Sequence, residues 1–180
     1  MHGSKVTRRY ARALFELANE KNQLTQVSDD LHTIKDICKR SEDFNRLLES
    51  PVIKTSEKRR VFLKLFEKRV YPLTYFFLEL LLEKNREDML LLIIEHFMGL
   101  LDESRGIVRG DLQTAFPFTD KQLTSLKERL DHLTGKNVVL DQNVNPGLLG
   151  GFIVKLDDTV IDTSLKNQLT KMRESMISGD

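Results

Sequence analysis

The sequence predicts a two-domain α+β protein: an N-terminal bundle of six short helices over residues 1–105, then a small C-terminal α/β domain with a short sheet over residues 106–180. Three observations predict it. Apolar residues recur three or four apart as far as Arg105, the period of a helix buried on one side. At Gly106 the pattern changes to alternation broken by turn residues, the period of a strand. A length of 180 residues is enough for two small cores.

The first helix carries Tyr10, Leu14, Leu17 and Ala18 on one face, with Ala11 and Phe15 beside it. Val27, Leu31, Ile34 and Cys38 make the stripe of a second. Phe44, Leu47 and Leu48 form a short third, with Ser41 as its cap and Ser50-Pro51 as its stop. Thr55 or Ser56 caps a fourth, striped by Phe62, Leu65, Phe66 and Arg69. Pro72 opens a fifth, striped by Phe76, Phe77, Leu80 and Leu81. The chain turns at Asn85-Arg86-Glu87, and Leu90, Ile93, Ile94, Phe97, Leu100 and Leu101 carry a sixth. Short helices with brief connections pack as antiparallel neighbours.

Ile107 to Ala115 reads as a strand and Phe116-Pro117-Phe118 ends it. Thr119-x-x-Gln122 is a capping box for a helix striped by Leu123, Leu126, Leu130 and Leu133, and Gly135 suits its exit. A strand follows over Asn137 to Asp141. Phe152, Val154 and Leu156 alternate along the next, Asp157-Asp158 turns, and Val160-Ile161 returns. Asp162, Thr163 or Ser164 caps a last helix with Leu165, Leu169, Met172 and Met176 along one side.

Composition excludes several functions. Lysine plus arginine (28) balance aspartate plus glutamate (27), so there is no electrostatic case for binding nucleic acid. A single cysteine, Cys38, excludes an internal disulfide framework and fits a reducing compartment. No apolar run reaches the roughly 18 residues that span a bilayer. The arginine-rich start resembles a transit peptide in composition, but it doubles as the first helix and is read as mature protein.

The glycines at 147, 150 and 151 do not make a phosphate loop. Neither the lysine nor the hydroxyl of G-x-x-x-x-G-K-[ST] follows them. The loop also precedes a strand rather than the helix N-terminus that gives such loops their anion affinity. Pro146, Gly147, Gly150 and Gly151 are read as a tight turn with close backbone packing. The histidines at 2, 32, 96 and 132 lack metal spacing. Asp157, Asp158 and Asp162 lack the calcium-loop pattern, and no serine stands in a nucleophile elbow. Lys58-Arg59-Arg60 reads as one turn of solvated charge. No catalytic residue, cofactor or metal is expected.

Three segments carry a family resemblance. They are R-R-Y-A-R-A-L-F-E-L-A (Arg8 to Ala18), L-x-x-I-I-E-H-F-x-x-L in the sixth helix, and P-G-L-L-G-G with the later V-I-D-T-S-L between Pro146 and Leu169. The match is nearly end to end and resembles the delta subunit of bacterial and chloroplast F-type ATP synthases, related to the mitochondrial oligomycin-sensitivity-conferring protein. Two positions depart from the family's pattern: it often has glycine where Leu156 or Asp157 stands, and glycine where Thr163 stands. Asp162 and Ser164, the capping pair, are present.

The resemblance implies a non-catalytic stator subunit on the cytoplasmic face of a bacterial inner membrane, with the thylakoid as second choice. It implies that residues 1–105 hold the N-terminal helix of an alpha subunit between the first and fifth helices. Tyr10, Ala11, Leu14, Phe76, Phe77 and Leu80 are the expected lining. Residues 106–180 would hold the distal ends of b-type peripheral-stalk subunits through Leu165, Leu169, Met172 and Met176. No nucleic acid and no direct membrane insertion are implied. A generic helical adaptor for some other amphipathic helix is the alternative; it needs only the first domain.

Overall fold

The computed structural model describes residues 2–50, 52–156 and 158–178, with side chains described except at 2–4, 49, 177 and 178. Two compact units divide between Leu101 and Asp102. Together they give an α+β chain with helices first and the sheet second. Pro51, read as a helix stop, and Asp157, read as part of a turn, lie outside the described residues.

The first unit contains α1 (His2–Glu20), α2 (Leu24–Arg40), α3 (Glu42–Glu49), α4 (Thr55–Phe66), α5 (Pro72–Glu83) and α6 (Leu90–Ser104), the last running past the division, with a 3-10 turn at Glu87–Met89. Its core joins Leu14 and Ala18 of α1, the α2 stripe Val27, Leu31, Ile34 and Cys38, and Leu90, Ile93, Ile94 and Phe97 of α6. Phe44, Phe62 and Phe66 close one part of it, with ring centroids 5.6–6.0 Å apart; Phe66 meets the other two edge to face, a geometry in which aromatic pairs gain beyond area alone. Ser41 caps α3 by accepting from the Phe44 amide at 3.2 Å.

Several helices are rotated or capped differently from the sequence reading. The buried face of α1 runs through Thr7, Ala11, Leu14 and Ala18, and Leu17 is exposed. In α5 the buried residues are Thr74, Phe77, Leu78, Leu81 and Leu82, whereas Phe76 and Leu80 face outward. Thr55 stands inside α4; Lys54 holds the cap position without a side-chain bond. The Thr55 hydroxyl instead donates to Asn85 Oδ1 at 3.1 Å. Arg69 lies beyond the helix end at Phe66. Lys58 is not solvated but 4% exposed. Its Nζ donates to Glu87 Oε1 at 2.6 Å and to the Leu48 carbonyl at 3.0 Å.

The second unit holds β1 (Ile107–Thr114), α7 (Asp120–Thr134), β2 (Asn137–Val144), β3 (Phe152–Leu156), β4 (Thr159–Asp162) and α8 (Leu165–Ser178). The strand order is β2-β1-β3-β4; β1 and β2 are parallel, and the other two pairings antiparallel. Val108, Leu112, Val154 and Leu156 of the sheet pack on Leu130 of α7. The Thr119–Gln122 capping box forms and Gly135 takes the left-handed conformation at the exit. Leu133, expected on the α7 stripe, is exposed. β2 continues past Asp141 to Val144, in register with Thr114.

Leu156 faces Gly110 across β3 and β1. A Cβ at Gly110 would meet the Leu156 side chain, so the missing side chain on one strand makes room for the extra one on the other. Thr163 ties the ends of β3 and β4 by donating to the Phe152 carbonyl at 2.9 Å.

Candidate interaction surfaces

Two apolar surfaces stand out among the described residues, one on each unit. The first is a groove of about 480 Å³ between α1 and α5, lined by Tyr10, Leu14, Leu73, Phe76, Phe77 and Leu80, with Arg9, Ala13 and Leu17 at its edges. Leu14 and Phe77 belong to the core and form its floor; Phe76, 66% exposed, and Leu80, 39% exposed, stand up from it. The Tyr10 and Phe77 rings meet edge to face at 6.5 Å. Of the six expected lining residues, Ala11 does not belong: it is fully buried in the core and does not reach the groove. Arg9, Ala13, Leu17 and Leu73 line it without having been expected there.

The presentation of α5 depends on a residue 41 positions earlier. Asp30 of α2 accepts from the Tyr71 amide at 2.7 Å and from the buried Thr74 hydroxyl at 2.7 Å. A carboxylate thus caps the N-terminus of α5, where the free amides and the helix dipole favour negative charge. From α4, Arg59 donates to Glu79 Oε1 through Nε at 3.1 Å and Nη2 at 2.8 Å. That bond, reinforced by the carboxylate's charge, holds the guanidinium above its ordinary value. Desolvation, followed by the Glu79 charge, pushes the Tyr75 phenol up as well.

The second surface is α8. Leu165, Leu169, Met172 and Met176 recur at helical spacing and all are exposed, and the neighbouring side chains of the helix are mostly solvated. Such a stripe buries apolar area only against something else. Its start is fixed from both sides. Ser164 Oγ accepts from the Asn167 amide at 3.2 Å, and the Ser164 amide donates to Asp162 Oδ1 at 2.9 Å. Hydrogen bonding by the Ser164 side chain, then by its amide, holds the Asp162 carboxyl below its ordinary value.

The glycine loop packs on the same place. Leu165 donates its amide to the Gly150 carbonyl at 3.0 Å. A Cβ at Gly150 would meet the Leu165 side chain, and one at Gly151, where φ is +73°, would strike the Thr163 carbonyl. Asn145 Oδ1 accepts from the Gly147 amide at 3.1 Å, making the turn at Pro146. Close approach to α8, not a phosphate, explains these glycines.

Residues 6–176 match the family described as ATP synthase delta (OSCP) subunit. The chain is 37% identical to ATP synthase subunit delta of Pelodictyon phaeoclathratiforme, covering 96% of this chain and 97% of the relative. It is 37% identical to that of Salinibacter ruber, over 96% and 93% respectively. Among solved structures it resembles a chain of the Toxoplasma gondii mitochondrial ATP synthase hexamer, with a TM-score of 0.73 at 25% identity, covering 95% of this chain and 97% of that one.

Proposed function

The chain belongs to the ATP synthase delta (OSCP) family and is a structural, non-catalytic component of the peripheral stalk; from that premise we propose that it is a two-ended clamp between the catalytic hexamer and the stalk. In this reading the N-terminal six-helix bundle, residues 1–105, takes the N-terminal helix of an alpha subunit between α1 and α5. Residues 106–180 hold the distal ends of b-type stalk subunits through the α8 stripe. The subunit sits at the cytoplasmic face of a bacterial inner membrane and keeps the hexamer from turning with the rotor while proton flow drives it. No helix among the described residues is long and apolar enough to cross a membrane.

The observation that carries this reading is the groove. Its raised edge is an exposed phenylalanine and leucine beside a floor of core side chains. That is the form in which an amphipathic helix is held, by apolar anchors at helical spacing. An interface of about 800 Å² per side with aromatic anchors reaches nanomolar affinity, about −12 kcal/mol. Two such contacts in series resist torque without a covalent link.

The test is calorimetric titration of the full-length chain with a peptide carrying the N-terminal segment of the alpha subunit of the same organism. Tight, saturable binding with a negative heat-capacity change is expected. It should be lost in Phe76→Asp, a substitution at an exposed position that leaves the fold intact. A folded protein that ignores the peptide overturns the groove assignment. Retention of stalk binding by Met172→Asp/Met176→Asp overturns the assignment of α8.

A further inference from the structure

The two rims of the α1–α5 groove carry different charged groups, cations on α1 and carboxylates on α5. On α1, Arg9 lines the groove and Lys5 precedes it by one turn. Both are exposed, and neither forms an ion pair with a described residue. On α5 the rim carries two carboxylates. Glu79 and Glu83 stand one turn apart beside Phe76 and Leu80, in a second depression of about 490 Å³ that Arg59 also lines and that Phe76 and Leu80 separate from the groove.

Glu79 is set in place before any partner arrives. The two Arg59 bonds and the Tyr75 hydroxyl, at 3.3 Å, all fall on Oε1. Oε2 therefore has no partner among the described residues and points in a direction fixed by the other oxygen. Glu83 meets only Lys84, its exposed neighbour in sequence, at 2.9 Å. A carboxylate whose orientation is already held loses less entropy on accepting a cation than a free one does.

We infer that the groove selects an amphipathic helix with carboxylates along the edge that meets Lys5 and Arg9, and lysine or arginine along the edge that meets Glu79 and Glu83. The inference rests on the groove being a helix site. Turning such a helix end for end, apolar face still down, exchanges its two edges. The rims therefore fix the direction of the bound helix as well as its composition. Exposed pairs add little affinity one by one and are screened by salt. Their effect lies in discrimination, since the reversed helix faces like charge on both sides.

The experiment uses the full-length chain and four synthetic helical peptides sharing one leucine stripe. Their edges are glutamine on both sides, glutamate on both, lysine on both, or glutamate on one and lysine on the other. At low salt the mixed peptide should bind about fivefold more tightly than the glutamine peptide, and the ratio should shrink at high salt. In Lys5→Glu/Arg9→Glu, where both rims are acidic, the lysine peptide should become the tightest binder. A spin label on the N-terminus of the mixed peptide should broaden amide signals at one end of α1. The same label on a peptide with exchanged edges should broaden the other end. Equal affinities for all four peptides, an order unchanged by Lys5→Glu/Arg9→Glu, or one labelled end for both peptides overturns the inference and leaves the groove standing. No binding by any peptide overturns both.

Discussion

Removing the ammonium of Lys58 tests how far the first unit depends on a buried ion pair. The Lys58 and Glu87 side chains are 4% and 8% exposed, with Nζ and Oε1 2.6 Å apart. Glu87 Oε2 already lacks a partner among the described residues. At that separation two unit charges attract by about 6 kcal/mol with an effective dielectric of about 20. Relief of the desolvated ammonium offsets part of the loss, so Lys58→Met should destabilise the unit by about 3–5 kcal/mol, leaving a carboxylate buried without a counter-charge. Replacing both partners, as Lys58→Met/Glu87→Met, should recover most of that, because the stranded charge is gone. The assay is urea unfolding followed by tyrosine fluorescence. All three tyrosines, Tyr10, Tyr71 and Tyr75, lie in the first unit and the chain has no tryptophan, so the signal reports that unit alone. A loss under about 1 kcal/mol for the single variant, or a double variant as unstable as the single, would refute the reasoning.

Two glycines should respond in opposite directions. Gly151→Ala places a methyl against the Thr163 carbonyl at φ +73° and should cost the second unit more than about 2 kcal/mol, read from amide exchange in β1 and β3. Gly99, in α6, has nothing within 4 Å of an added Cβ, so Gly99→Ala should gain about 0.5–1 kcal/mol by tyrosine-monitored unfolding; a loss would show hidden crowding. Burial pushes the Cys38 thiol from 9.0 up to about 11, because an apolar surrounding disfavours the thiolate. The native protein should resist alkylation at neutral pH and label fully in urea; fast native labelling would contradict it. The sign follows from the raised value: the folded state keeps its proton longer than the unfolded chain does. Stability from this group is therefore whole below about pH 9 and is lost as pH rises toward about 11.

What proved legible in the sequence was local. The stripe Val27, Leu31, Ile34 and Cys38 is fully buried because a helix repeats every 3.6 residues whatever surrounds it. Thr119 and Gln122 find each other three residues apart. The glycines at 150 and 151 were assignable to close packing because the alternatives each require neighbours this chain lacks. The candidate groove was partly legible: five of its six expected residues do line it, and Ala11 does not.

The rest depended on residues distant in sequence. Lys58 in K-R-R looks like its solvated neighbours until Glu87, 29 residues away, is brought beside it. Asp30 looks like any surface acid on α2 until Tyr71 and Thr74, more than 40 residues on, present their donors to it. The residues nearest to function were the hardest. α5 reads P-L-T-Y-F-F-L-E-L-L-L-E, apolar nearly all round, so its periodicity has almost no phase from which to say which side faces in. By itself the sequence determined the elements, their order, the caps of α3 and α7 and the family, since these follow from short-range pattern and motif. Only the tertiary structure decided the rotation of α5, which buries Phe77 and leaves Phe76 standing in solvent. Burial is a property of what packs against a helix, and no helix contains that in its own spacing.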